Sequence, residues 1–433
     1  MKDFEKVKVK LFDRFVGIML EDDTGQVLFE YNEKYVNSGP EISPFKLPLE
    51  EGTVFVFNEL RKKSFMGLPG VFADSLPDAW GSKVIQEYFK QKGIPAAEIP
   101  LFSRLLYIGH RGMGALEYEP EIKLDHTEEE IEITELWLKS RKVLEGKIEK
   151  HTDDIFKYGG SAGGARAKAV INWDRKSGSF RLPGKKENEE FPPWLIKFDG
   201  IVPEMPHLSD PMPWERTEYV YNLMAKEAGI RIPEIGYVTE GERFHFMVKR
   251  FDRGEFDKRN SKFRKFHMHT LGGLMHMDHN DSRMSSYEIY LNTIQGLTKD
   301  NSQVREGFRR MVFNVLVQNW DDHVKNFSFL MDEDGVWRIS PSYDMVFTPR
   351  EHPWFSKGHQ MTINGKSMDI SRADIITVAG NFNVKKPDII INEVMEAVDR
   401  YSDLAGEYEI STLFPQHFEK VRKAIGFRGV AFD

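Results

Sequence analysis

The chain contains no cysteine in 433 residues. That absence excludes disulfides, thiolate metal sites and thiol redox chemistry, and it suits a reducing compartment. Long apolar runs are missing too. Nothing approaches the roughly 18 apolar residues of a membrane span, and the opening MKDFEKVKVKLFDRFVGIML has no apolar stretch of signal-peptide length. A soluble cytoplasmic protein with no membrane partner is the expectation. Charge of one sign is also lacking: 60 Lys and Arg stand against 68 Asp and Glu, for a net charge of -8. There is no general attraction to nucleic acid, so any polyanion must meet a local patch. No internal repeat or low-complexity tract interrupts the text.

What is present is length enough for two or three core-bearing units. Val7–Tyr31 reads as short strands around the turn Asp23–Gly25, and Asp74–Lys92 carries Val84, Ile85, Tyr88 and Phe89 at helical spacing after Pro77. The glycines of RGMGALEYEP close a small β-rich unit near residue 120. Glu119–Thr152, rich in Glu and Lys, predicts a connecting helix. After it come a glycine loop, strands AKAVINWD and WLIKFDG, helix ERTEYVYNLMAKEAGI, and strands EIGYVTE and HFMVKRFDR. REGFRRMVFNVLVQNW is helical, FSFLMDEDGVWRISP is a hairpin, and Glu393–Gly426 is helical again. The expected class is α+β, in three segments: residues 1–120, 121–255 and 256–433.

Three constellations carry chemistry. The first is QNWDDHVKNFSFL, in which Asn326 stands five residues after Asp321, followed by Asp344 in SPSYDMVF. Phosphoryl transfer needs a carboxylate to orient and deprotonate a hydroxyl and oxygen ligands to hold Mg²⁺ against phosphates. In that order Asp321 is the base, Asn326 and Asp344 are the metal ligands, Lys325 neutralises the transferring phosphate and His323 braces the loop. The competing interpretation is a polar helix end and an ordinary hairpin. The apolar text on both sides of the cluster weighs against it, because uncompensated polar groups there are costly.

The second is YGGSAGGARAKAVINWD, whose glycines 159, 160, 163 and 164 let backbone N–H groups approach an anion. It contains neither G-x-x-x-x-G-K-[ST] nor G-x-G-x-x-G, so a Walker or dinucleotide loop is excluded, and a plain turn stays open. The third is Lys197, a lysine in apolar strand text, with Glu218 some twenty residues later on an amphipathic helix. A Lys–Glu pair reaching ATP phosphates is one interpretation, and a snorkelling edge-strand lysine is the other. The serial order of glycine loop, strand lysine, helix glutamate, strand pair, D-x-x-x-x-N and metal Asp favours the kinase interpretation over chance.

These segments resemble the HipA family of toxin kinases. SAGGARAKAV is similar to its ATP-covering loop, FMVKRFDR to its hinge, NWDDHVKN to its catalytic loop and SPSYDMV to its metal-binding element, while LPGVFADSLPDAWG and RGMGALEY match its N-terminal subdomain. The resemblance implies a two-lobed protein-kinase-like fold, related to phosphoinositide-3-kinase, with a small β-rich N-terminal subdomain. It implies ATP and Mg²⁺ as cofactors and serine/threonine phosphorylation of a protein, in studied members an aminoacyl-tRNA synthetase. It also implies a HipB-like helix-turn-helix antitoxin through which DNA is met indirectly. Carried onto this sequence, the ATP contacts are Ser161, Ala162, Gly163, Gly164, Ala165, Arg166, Lys168, Lys197, Glu218, Lys249 and Phe251, and Ser161 is a regulatory autophosphorylation site. Asp322 departs from a glycine common in the family, and Ala167 from a proline.

Other outcomes stay in view: a small-molecule or lipid kinase using the same chemistry, or a non-catalytic ATP-binding corepressor. HMHTLGGLMHMDH places His267, His269, His276 and His279 close together. A zinc site was weighed against histidines paired with local acids in the C-terminal lobe, and the second is preferred because no cysteine or fixed spacing supports a metal.

Overall fold

Alternation of Val7, Val9 and Leu11 with lysines gives the strand Lys6–Leu11 one buried face, since successive side chains point to opposite sides. In the computed structural model this strand sits within an antiparallel sheet. Its order is Val54–Val56, Val27–Tyr31, Arg14–Glu21, Lys6–Leu11, Leu116–Glu119. The structure describes residues 6–60, 64–124, 130–146, 155–156, 159, 164, 166–184, 187–201, 213–281, 285–348, 357–410 and 421. The helix Leu101–Ile108 packs on strands Lys6–Leu11 and Leu116–Glu119.

A second antiparallel sheet runs in the order Phe180–Arg181, Lys168–Trp173, Pro193–Lys197, Arg243–Lys249, Ile235–Glu240. Its apolar face (Ala169, Ile171, Trp194, Ile196, Met247) shares one core with Trp80, Val84, Ile85 and Phe89 of the helix Ala79–Gln91 and with Leu136 and Val143 of Ile133–Glu145. The connecting helix is therefore a packed element rather than a solvated spacer. A hairpin, Arg253–Asp257 with Lys262–Lys265, follows the sheet.

The remaining elements are mostly helical. Asn301–Leu316 packs against Tyr287–Thr298 and Pro387–Asp399, and Trp214–Glu227 against Pro387–Asp399 and Tyr401–Glu407. Gly307 permits the first of these contacts: a Cβ there would lie 2.4 Å from Ile294 Cδ1. Ser286 and Asp300 cap the helices they precede, and Ser371 with Asp374 forms a capping box on Arg372–Asn381.

The described fold divides into two units. One comprises Met1–Met212, Glu234–His276 and Leu330–Val336, the other Pro213–Pro233, Met277–Phe329 and Trp337–Asp433. This differs from the expected segments in three ways. Residues 1–120 do not separate from the lysine-bearing sheet, because their helix Ala79–Gln91 shares the core described above. The helix carrying Glu218 groups with the second unit. Residues 256–276 group with the first, because their side chains bond to residues 42–74. No helix among the described residues is long and apolar enough to cross a membrane.

Candidate functional site

The two halves of the expected site fall in different units, and each is built within its own. In the first unit, Lys168 opens one strand and Lys197 ends the next, directly opposite each other in the ladder. Both are buried, at 3% and 4% exposure. Pro193–Lys197 is flanked on both sides by other strands, so Lys197 is not the edge-strand lysine that was weighed. Its Nζ lies 5.9 Å from the Phe246 ring centroid.

Of the glycine loop, Ser161, Ala162, Gly163 and Ala165 lie outside the described residues; Gly164 and Arg166 are within them. Gly164 has φ +96° and abuts Lys168 so closely that a Cβ would be 2.5 Å from Nζ. The segment that resembles the family's hinge carries a lock centred on Asp252. Asp252 is fully buried, accepts from Arg250 Nε (3.0 Å) and Nη2 (2.7 Å), from Arg253 Nη1 (2.7 Å) and from Gly114 N–H (2.6 Å). Burial works against its charge, but the two guanidiniums and this hydrogen bond win and hold the carboxyl well below the ordinary range. Arg250 and Arg253 also donate to the carbonyls of Gly112 and Gly114, so RFDR fastens RGMG. Lys249 points out to an exposed pair with Glu234 at 3.0 Å, and Phe251 beside it is half-buried.

The histidine segment is a second lock on the same unit. His269 Nδ1 meets Asp74 Oδ2 at 2.6 Å and its Nε2 meets Ser43 Oγ at 3.0 Å. Asp74 further accepts from Thr270 N–H and Oγ1, both at 2.7 Å. His267 Nε2 bonds the Ile42 carbonyl at 2.9 Å, and Gly70 N–H donates to His276 Nε2 at 3.0 Å. The expected pairing with acids is present for His269. The expected location in a C-terminal lobe is corrected, since His267, His269 and His276 belong to the first unit. Among the described residues no group of three His, Cys, Asp or Glu side chains is arranged to hold a metal ion.

In the second unit, Asn301–Leu316 delivers the chain into Gln318–Asn326. Trp320 N–H donates to Thr348 Oγ1 (2.8 Å), which donates to the Gln318 carbonyl (3.0 Å). Asp321 keeps its side chain 36% exposed, with His323 Nε2 3.8 Å from its Oδ1. Asn326 Nδ2 donates to the Asp321 carbonyl at 2.8 Å, which commits the amide nitrogen. His323 Nδ1 accepts from Lys325 N–H at 3.2 Å, capping the short turn Val324–Asn326. Tyr343 is the bridge to the segment bearing Asp344: its hydroxyl donates to the Lys325 carbonyl (2.7 Å) and meets Ser328 Oγ (2.5 Å). Asp344 follows it, half-buried, in the left-handed backbone region at φ +51°.

Two supporting networks carried no recognisable motif. Asp322, 1% exposed, accepts from Tyr287 Oη (2.8 Å), His359 Nδ1 (2.7 Å) and Gln360 N–H (2.7 Å). Burial, aided by the adjacent carboxylate, pushes the Tyr287 phenol far up, so it stays a donor. Asn314 donates to Tyr287 Oη and Asn319 to Asn314 Oδ1, so the chain of bonds runs toward Asp322. On the other side, Arg231 Nη2 holds the Ile339 carbonyl (2.7 Å) and Arg310 Nη2 the Ser340 carbonyl (2.8 Å). Glu306 joins them by accepting from Arg231 N–H and Arg310 Nε. Asn301–Leu316 thus braces the approach to Asp344 as well as that to Asp321. Glu218, 1% exposed on Trp214–Glu227, belongs to this unit and Lys197 to the other.

The HipA-like C-terminal domain matches residues 160–401 and the HipA N-terminal domain matches residues 7–119. The chain belongs to the HipA family. The resemblance carried by SAGGARAKAV, NWDDHVKN and SPSYDMV is therefore shown, over most of the chain. A Sinorhizobium fredii protein with a provisional kinase name is 21% identical over 91% of this chain and 89% of its own length. A Haemophilus influenzae protein, also provisionally named a kinase, is 29% identical over 34% of this chain. The match spans about half, 47%, of that relative. In fold, the chain is similar to one in the complex of the Shewanella oneidensis MR-1 toxin–antitoxin system HipA, HipB and its operator DNA. The TM-score is 0.68, with 97% of this chain and 98% of that one covered, at 16% identity. That likeness establishes a HipA-like fold of mixed α and β elements.

Proposed function

We propose that this HipA-family chain is an ATP-dependent serine/threonine protein kinase and the toxin of a toxin–antitoxin module. On this reading its fold is two-lobed and related to phosphoinositide-3-kinase. It acts in the cytoplasm on a serine of a protein, an aminoacyl-tRNA synthetase being the family's precedent, and meets operator DNA through a helix-turn-helix antitoxin. The observation that carries the reading is the Tyr343–Lys325 hydrogen bond, which ties the turn bearing Asp344 to the D-x-x-x-x-N loop bearing Asp321 and Asn326.

The donor set suits Mg²⁺. The Asp344 carboxylate and the Asn326 amide oxygen are hard ligands, few in number, leaving the other positions to phosphate oxygens and water. Mg²⁺ held there would offset the charge of the transferring phosphate. The acceptor hydroxyl gives its proton to the Asp321 carboxylate as its oxygen takes the γ-phosphoryl group, and the bond to the β-phosphate oxygen breaks with ADP leaving. Lys168 and Lys197 hold the phosphates, and Lys325 faces the charge that moves. Ser161 is the regulatory site of this reading, since a phosphate there adds about −1.5 to −2 charges beside the nucleotide phosphates.

Asp321→Ala and Asp344→Ala are expected to abolish phosphate transfer while unfolding at the wild-type temperature. Asp344→Ala should weaken Mg–ATP binding more, as titration calorimetry would read. Near wild-type labelling by either purified variant would refute the assignment.

A further inference from the structure

The motif LPDAWG, at residues 76–81, lies in the N-terminal domain, far in sequence from the residues assigned to phosphate transfer. Asp78 occupies the N-cap of Ala79–Gln91, where an aspartate ordinarily accepts from its own helix's first turn. Here it makes no such capping bond. Its Oδ2 accepts instead from Gly164 N–H at 2.9 Å. Two residues on, Trp80 N–H, one of the helix's first-turn donors with no partner inside the helix, donates to the Gly164 carbonyl at 3.2 Å. Both backbone polar groups of Gly164 are thus taken by residues 78 and 80.

The Trp80 side chain extends the same grip. Its Nε1 donates to the Lys168 carbonyl at 2.8 Å, and its ring, 1% exposed, packs in one core with Ala167 and Ala169. Between these attachments lies Gly164, at φ +96° and against the Lys168 ammonium. Only glycine fits there: a side chain would meet Nζ, and the backbone conformation is one L residues rarely adopt.

We infer that Asp78 and Trp80 are positioning residues that fix the end of the glycine loop against Lys168, so that the N-terminal domain sets the affinity of the nucleotide phosphates. This rests on the kinase reading for the identity of the ligand, while the clamp itself does not. Neither residue touches the nucleotide in this account. Asp78 acts through Gly164, and Trp80 through Gly164 and Lys168.

The test uses the full chain and Mg–ATP. Asp78→Ala should weaken nucleotide binding about tenfold, the scale of one lost charge-assisted hydrogen bond. It should raise KM for ATP with little change in kcat, and Asp78→Asn, which retains an acceptor oxygen, should restore most of the affinity. Ser75→Ala is the control: it removes the 2.6 Å contact with Tyr118 Oη in the same domain without touching Gly164. Unchanged affinity in Asp78→Ala would overturn the inference, as would an equal loss in Ser75→Ala at equal thermal stability. Amide exchange at Gly164 supplies a reading independent of nucleotide. If the wild type bound no ATP, the functional reading beneath would fail, and faster Gly164 exchange in Asp78→Ala alone would still uphold the clamp. Unchanged exchange would overturn the clamp as well.

Discussion

Asp74 and Asp322 are buried aspartates in different units, held by the same kinds of donor. Each accepts from a histidine Nδ1, from the backbone N–H of the residue after that histidine, and from a hydroxyl: His269, Thr270 and the Thr270 side chain in one case, His359, Gln360 and Tyr287 in the other. Three donors are enough to make a buried carboxylate tolerable. The difference lies in what stands next to them. Asp74 joins the strand and helix of residues 267–275 to the N-terminal domain, so its lock holds pieces of fold together. Asp322 is the covalent neighbour of the proposed base, so its lock sets the direction of a reacting group. One local chemistry serves stability in the first unit and positioning in the second.

The sharpest way to break this parallel is to truncate each aspartate. Removing one partner from a buried charged network costs about 3–5 kcal/mol, and both Asp74→Ala and Asp322→Ala should lose stability on that scale in denaturant titrations. Phosphate transfer should separate them: Asp322→Ala loses it even where the protein stays folded, whereas folded Asp74→Ala retains most of it. Equal transfer by the two variants would end the distinction.

Acid should loosen the first lock. Burial depresses His267 to about 3 and His276 to about 4, the nearby His269 adding to this in both cases and Lys46 in the second, with Asp74 pulling the other way. The unfolded chain therefore binds protons that the folded unit refuses. The stability these two residues contribute is present above pH 6.5 and is lost as pH falls from there toward 4. The loss is on the order of 2 kcal/mol for each by pH 5. Thermal unfolding followed between pH 7 and 5 should show the decline, and His267→Gln should reduce its steepness.

A smaller effect is expected where the first lock depends on close backbone approach. A Cβ on Gly70 would lie 2.1 Å from the Gly273 carbonyl oxygen, so Gly70→Ala forces the two segments apart. Overpacking of that kind costs about 1–3 kcal/mol, with phosphate transfer little changed at permissive temperature. The smallest effect belongs to Lys249, outside both networks. Its exposed pair with Glu234 is worth about 0–1 kcal/mol. Lys249→Ala should leave stability within that range and nucleotide affinity close to wild type; a large loss of affinity would return Lys249 to the ATP contacts carried over from the family.

What the sequence disclosed followed the range of the interactions. The turn from Asp321 to Asn326 and the placement of Lys197 in a strand are set by residues a few positions apart, and spacing exposes them. The anchoring of Asp322 was not visible, because its histidine is 37 residues away and no periodicity links them. Asp322 therefore read only as a departure from a family glycine. The lock within RFDR was not visible either, because nothing in the text joins Asp252 to Gly114, 138 residues earlier. The four histidines drew attention through their density, yet three of them take partners between residues 42 and 74. The packing of the first two segments around one core was hidden for the same reason, since a shared core leaves no mark at a linker.

The long separations have a consequence for how the molecule is made. Residues 6–119 contain a complete antiparallel sheet, but Ser43, Gly70 and Asp74 find their partners only once residues 269–276 have been synthesised. At about 5–20 residues per second, the growing chain spends on the order of ten seconds or more with that surface uncovered. Contacts of such range are also slow to form, because loop closure must precede any reward from them. The interval between the first sheet and the arrival of His269 is thus when the nascent protein is most exposed to aggregation and most in need of a chaperone.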